Sequence, residues 1–218
     1  VHPFIPRGSA ADVPSRKWSP IVNAATPIAE ATHTLAVLVD DEPGVLARVI
    51  GLFSGRGYNI ESLTVSSVDT AAHLSRITIV TTGTPQIIAQ IKAQLGRLVP
   101  VHAVHDLTLE GPHLERELAL IKIRNVGEHR IEALRIADMF RARAIDSTLE
   151  SFVFELTGGP SKISAFVELM SALGAIEVSR TGVVAIARGS NLDMPVFSTL
   201  EKNREKKAPA RKKASKKA

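Results

Sequence analysis

The run Thr34–Leu63, TLAVLVDDEPGVLARVIGLFSGRGYNIESL, constrains this chain more than any other part of it. It reads as a buried strand over 34–39, an acidic Pro-Gly loop, an amphipathic helix over Val45–Arg56, a glycine stop and a second strand over Asn59–Val68. Val45, Leu46, Val49, Leu52 and Phe53 recur at helical spacing and fall on one face. Gly57 suits a left-handed helix stop. The loop Asp40-Asp-Glu-Pro-Gly44 gathers carboxylates, a glycine and outward-pointing N–H groups at one helix N-terminus. That set suits a small zwitterion: the N–H groups answer a carboxylate and the acids answer an ammonium. Gly44 would let a ligand carboxylate approach the backbone, because no side chain stands in the way. Asn59, whose amide both donates and accepts, is the partner candidate. The ordinary alternative is an acidic helix cap, Asp41 or Glu42, with Pro43 at the first helical position.

Downstream, Asn59–Val68 and His73–Thr81 read as a hairpin around Asp69-Thr-Ala-Ala. Pro85–Leu95 reads as a helix with Ile87, Ile88, Ile91 and Leu95 inward, and Val99–Leu109 as a strand. The order is βαββαβ, and it recurs. Leu118–Ile123 is a strand, and His129–Arg143 a helix with Ile131, Leu134, Ile136 and Phe140 inward. Ala144–Leu149 and Phe152–Leu156 are strands, and Ser161–Leu173 is a helix with Ile163, Phe166, Val167 and Met170 inward. Ile176–Ala187 closes the unit as a strand interrupted at Gly182. The expected fold is α+β, two tandem ferredoxin-like βαββαβ units over 34–110 and 116–189, with flexible extensions at 1–33 and 190–218. The link Glu110–Arg116 carries Gly-Pro punctuation. Each unit stacks two helices on one sheet face and leaves the other face or an edge free, so a dimer is expected.

Aromatic residues make up only 4% of the chain against 44% apolar residues, so Val, Ile, Leu and Ala must build the core. Cysteine is absent, which removes thiolate nucleophiles, thiolate metal sites and disulfides. The formal charge of +5 is local: from Gly189 onward nine Lys or Arg face three Asp or Glu, while the rest nets −1. The basicity is therefore that of a solvated tail, and no nucleic-acid partner is expected. No run of about 18 apolar residues suggests a membrane span, and the first 33 residues lack a signal-peptide core. His102 and His105, three apart in an expected strand, point to opposite faces and cannot share a metal. Glu115 and Glu117 read as surface charge around a linker. No nucleophile with a neighbouring base and no phosphate loop is visible, so the chain is not expected to be an enzyme by itself, and no catalytic residue, metal or cofactor is assigned to it.

The first run resembles the opening half of an ACT domain, an amino-acid-sensing module. Its part Arg48–Val65, RVIGLFSGRGYNIESLTV, resembles the small regulatory subunits of acetolactate synthase. In the second unit the resemblance rests on Glu115–Ile123, Phe140–Asp146, Gly158–Lys162 and Glu177–Ala185. The resemblance implies a cytoplasmic bacterial, noncatalytic, homodimeric subunit in branched-chain amino-acid biosynthesis. Such a subunit activates a catalytic partner that carries thiamine diphosphate, Mg and FAD, and confers feedback inhibition by valine. It further implies a valine site between units of two protomers, with Asp41, Gly44, Val45 and Leu46 from one and Asn59 and Ile60 from the other. Asp41 replaces the Asn of many members; ionised, it accepts from the ligand ammonium and cannot donate to its carboxylate. The second unit with the 68–73 hairpin is the expected surface toward the catalytic subunit. A stand-alone amino-acid-binding regulator of another enzyme or of transcription is the alternative.

Overall fold

A computed structural model of the chain describes residues 29–124 and 127–189. Most of the extension expected at 1–33 and the whole of the basic tail at 190–218 lie outside the described residues. The first unit runs β1 (Ala31–Asp40), α1 (Val45–Ser54), β2 (Ser62–Asp69), β3 (Leu74–Gly83), α2 (Pro85–Leu95), β4 (Val101–Asp106) and a short α3 (Leu107–Glu110). The second runs β5 (His113–Arg124), α4 (Glu128–Phe140), β6 (Arg143–Ser147), β7 (Ser151–Gly158), α5 (Pro160–Ser171), β8 (Ala175–Arg180) and β9 (Val184–Ala187). Both sheets are antiparallel and share one strand permutation: β2-β3-β1-β4 in the first, β6-β7-β5-β8 in the second. These are two tandem ferredoxin-like units. Among the described residues no helix is long and apolar enough to cross a membrane.

Local chemistry explains most boundaries. Thr84 caps α2 by accepting from the Ile87 N–H, and Pro85 fills the first helical position, where a missing N–H costs nothing. Asp69 Oδ1 accepts from the N–H groups of Ala71 and Ala72, closing the hairpin between β2 and β3. Gly57 has φ +69, the left-handed stop its position demands.

The departures are equally physical. The strand expected over Val99–Leu109 ends at Asp106, whose carboxylate accepts from the N–H groups of Thr108 and Leu109 and starts α3. The link is only Gly111 and Pro112, because β5 begins at His113. On α4 the buried residues are Ala133, Ile136 and Ala137, while Ile131 and Leu134 face outward. Leu46 also faces outward, at 37% exposure.

Leu35, Val37 and Val39 of β1 pack against Val49, Phe53, Ile88 and Ile91 of the two long helices. The opposite face of this sheet is not free; of the two expected alternatives it is an edge, β2, that stays unpaired among the described residues. Thr34, Ala36 and Leu38, which alternate onto it, are buried as well. The second unit covers them. Ala36, Leu107 and Ala185 form a small joint cluster, and the Thr34 hydroxyl donates to Glu115 Oε1 at 2.5 Å. The second core gathers Ala119, Ile121 and Ile123 of β5 under Phe154, Phe166 and Met170.

Candidate functional site

The loop between β1 and α1 is held from its ends. The Asp40 N–H donates to the Pro100 carbonyl at 2.9 Å, and the Asp41 N–H to the His73 carbonyl at 2.7 Å. Neither acidic residue caps the helix. The cap is Gly44, at φ +87 and ψ −8, and no side chain bonds to the first turn. A left-handed cap of this kind favours glycine. A Cβ built there would meet nothing within 4 Å, so the space over the helix start is open. Val45 is buried and anchors the helix in the core, whereas Leu46 and, one turn on, Ile50 face outward. The Val45 N–H donates to the Glu42 carbonyl at 3.4 Å, and beside this uncapped first turn an exposed Asp41 carboxylate and an apolar shoulder lie together.

Asn59 and Ile60 lie elsewhere. The Asn59 carbonyl accepts from the Thr81 hydroxyl at 2.6 Å, and the Glu61 N–H donates to the Val80 carbonyl at 2.8 Å. Ile60 packs on the first core, and Asn59 is exposed. Thr81 pairs with His33 near the start of β1, whereas the Gly44 loop follows Asp40 at its end. Seven residues of strand at about 3.3 Å each separate the two levels by about 23 Å. One chain thus brings Asp41, Gly44, Val45 and Leu46 together but does not bring Asn59 and Ile60 to them. β2, which follows Asn59 and Ile60, is an edge strand, with pairing on one side only among the described residues.

His102 Nε2 meets Asp40 Oδ1 at 2.6 Å, and His105 Nδ1 meets Glu110 Oε2 at 2.8 Å. No group of three or more His, Cys, Asp or Glu able to hold a metal occurs among the described residues. Burial pushes the Glu110 carboxyl up, but hydrogen bonds from the Asp106 N–H and His105, with the charges of His105 and Lys92, hold it below the usual carboxylate range.

Sequence reasoning missed Glu117. It is not surface charge: at 4% exposure it accepts both nitrogens of the Arg180 fork at 2.6 Å each. The Glu117 hydrogen bond raises the Arg180 pKa against the opposing effect of burial. The partners are 63 residues apart, and only the β5–β8 ladder brings them together. The same holds for His33 and Asp106, a buried pair at 3.0 Å. A cleft of about 760 Å³ lies between the units, lined by Thr34, Glu61, Ser62, Glu117, Arg180 and Gly182. It lies away from the Gly44 loop.

Two tandem ferredoxin-like units, the first with an open glycine-capped helix start after its first strand, define the class of tandem ACT-type proteins. Comparison sharpens this. Residues 35–103 match a family model described as the AHAS small subunit-like ACT domain, and residues 116–189 one described as the small subunit of acetolactate synthase. The acetolactate synthase small subunit of Haemophilus influenzae is 44% identical over 156 residues, covering 71% of this chain and 94% of that protein. The acetolactate synthase isozyme 3 small subunit of Escherichia coli is 44% identical over 159 residues, covering 72% of this chain and 96% of that protein. A crystal structure of the acetolactate synthase small subunit from Thermotoga maritima aligns at a TM-score of 0.67 and 38% identity, covering 74% of this chain and 99% of that one. The chain belongs to the acetolactate synthase small-subunit family.

Proposed function

We propose that this chain is the regulatory subunit of an acetolactate synthase. It raises the activity of a catalytic partner, which carries thiamine diphosphate, Mg and FAD, and makes that activity sensitive to valine. The chain acts as a homodimer, with the second unit and the 68–73 hairpin facing the catalytic subunit. The observation that carries the effector half of this reading is the open, glycine-capped start of α1. There the valine carboxylate accepts from the first N–H groups of the helix, favoured by the positive end of its dipole. Asp41 accepts from the ammonium, and the branched side chain rests on Leu46. Asn59 and Ile60 complete the site from a second copy, since about 23 Å of strand separates them from Gly44 in one chain. Binding then biases the pair of chains by no more than its differential affinity for two arrangements, typically about 1–3 kcal/mol.

Gly44→Asp tests the assignment. Open space surrounds the position, and Asp is among the residues that tolerate left-handed backbone, so the fold should survive. The new carboxylate occupies the ligand's place and repels it. Loss of a charge-assisted hydrogen bond of about 1.5–3 kcal/mol weakens valine by roughly tenfold to a hundredfold. Calorimetric titration with valine, leucine and isoleucine, beside acetolactate assays of the complex, should show lost inhibition and retained activation. A variant inhibited like the parent places the effector elsewhere.

A further inference from the structure

We propose that the segment Thr181–Ala187 is a strap that carries the effector signal from β2 of the first unit into the central strand of the second; this rests on the effector reading above. β9 has two backbone edges. One joins the β5 ladder, with Val184 opposite Arg116 and Ile186 opposite Leu114. The other is taken by side chains of the first unit, in the manner of a strand. Ser62 Oγ accepts from the Val183 N–H at 2.8 Å, the Thr64 hydroxyl donates to the Val183 carbonyl at 2.9 Å, and the Arg76 guanidinium donates to the Ala185 carbonyl at 2.6 Å.

Ser62 and Thr64, two apart, share one face of β2. Arg76 pairs with Ser66, the next residue of that row. The three side chains therefore read alternate backbone positions of the strap. Gly182 makes the close seat possible. Its φ is +85, and a Cβ there would lie 2.8 Å from Ser62 Oγ and 3.0 Å from Thr64 Cγ2. Both the conformation and the space exclude a larger residue.

The strap is joined to the strand that the effector would move. Among the described residues β2 pairs with one neighbouring strand only, and Ser62 begins it two residues after Ile60. A shift of Asn59 and Ile60 reaches Ser62 directly, and Val183 follows Ser62. From there the β9 pairing leads to β5 between Leu114 and Arg116. The seated arrangement is the one seen here; coupling requires a second, in which the strap leaves the three side chains for water. A ligand that prefers one β2 position selects one of them.

The test is Ser62→Ala combined with Thr64→Val, which removes both hydroxyls at nearly constant size. In the complex with the catalytic subunit, calorimetric valine affinity should stay within about threefold of the parent, while the coupling between valine and activity falls by about fivefold or more. Activation without valine should be retained. Thr64→Ser, with Ser62 intact, keeps the donor and should keep full inhibition. Gly182→Ala should reproduce the loss by pushing the strap off its seat. A double variant inhibited as fully as the parent overturns the strap and leaves the effector reading standing. Joint loss of binding and inhibition puts the two hydroxyls in the ligand site and also overturns the strap. A parent that binds no valine overturns the effector reading, and the strap with it.

Discussion

β1 and β5 hold the same place in their sheets, each flanked by a strand on both sides, yet their sequences differ in kind. β1 reads Leu35-Ala-Val-Leu-Val39, apolar without a break, and all five residues are buried. From Ala119 to Arg124, β5 alternates: Ala119, Ile121 and Ile123 are buried, while Leu120, Lys122 and Arg124 are exposed. Antiparallel sheets usually alternate because one face meets water, and continuous apolar runs mark strands covered on both faces. The first sheet has helices on one side and the second unit on the other. Among the described residues the second sheet has helices on one side only, and Leu120, Lys122 and Arg124 on its other side are exposed. Identical topology thus gives different sequences, because burial, and not strand order, decides which residues a strand can carry.

Matched substitutions on the two open-face positions should break this comparison most sharply. Leu38 and Leu120 both point away from their helices, at 3% and 37% exposure. Leu38→Lys buries a charge beside its cross-strand partner Arg76 and should cost about 4 kcal/mol. Leu120→Lys lies across from Glu155 in solvent and should shift stability by less than about 1 kcal/mol. Equal urea midpoints for the two variants would show that the second unit does not shield the first sheet in solution.

The next effect concerns the changeover within β5. Residues 113–116 pair with β9 under the first sheet, and residues 119–124 pair with β8 in the strand's own sheet. Glu117 sits between these stretches, and its partner Arg180 stands opposite Ala119 at the edge of the second. Arg180→Leu leaves a buried carboxylate without its partner and should cost about 2 kcal/mol, less than a fully buried pair because Arg180 is partly exposed. Arg180→Lys should recover part of the loss. A leucine variant with an unchanged unfolding midpoint would remove the pair from any role in joining the two stretches.

The smallest effect is a pH dependence confined to the first unit. The folded pKa of Glu110 is depressed, so its contribution is present above the unfolded value and is lost as pH falls through the folded value. Glu110→Gln should lower stability slightly at neutral pH and merge with the parent well below the carboxylate range. A constant offset at every pH would assign the effect to packing.

The parts of the fold that depend on neighbours in sequence were legible. The amphipathic period placed α2 at Pro85–Leu95, and Gly182 marked the break between β8 and β9. Parts that depend on distant neighbours were not. Leu107 and Leu109 alternate like strand residues, and only the Asp106 carboxylate turns that stretch into a helix. The outward Ile131 and Leu134 looked like core, whereas α4 buries Ala133 and Ala137, small enough for close approach, beside the expected Ile136. At the site, glycine and loop were visible, and Asp41 and Glu42, the alternative caps, make no side-chain bond to the helix start. The covering of the first sheet by Val183 and Ala185 had no local signal, because it rests on contacts more than 100 residues apart.

The separation of Gly44 and Asn59 along one sheet bears on heredity as well as on geometry. In the paired arrangement proposed above, each effector site borrows its loop from one chain and its Asn59 from the other. Two sites therefore form per pair, and the lesions of a mixed pair do not distribute evenly. A chain altered at Gly44, joined to a chain altered at Asn59, leaves one site with both defects and the other with none. Two gene copies, each deaf to the effector alone, would together restore hearing in half of the sites of every mixed pair.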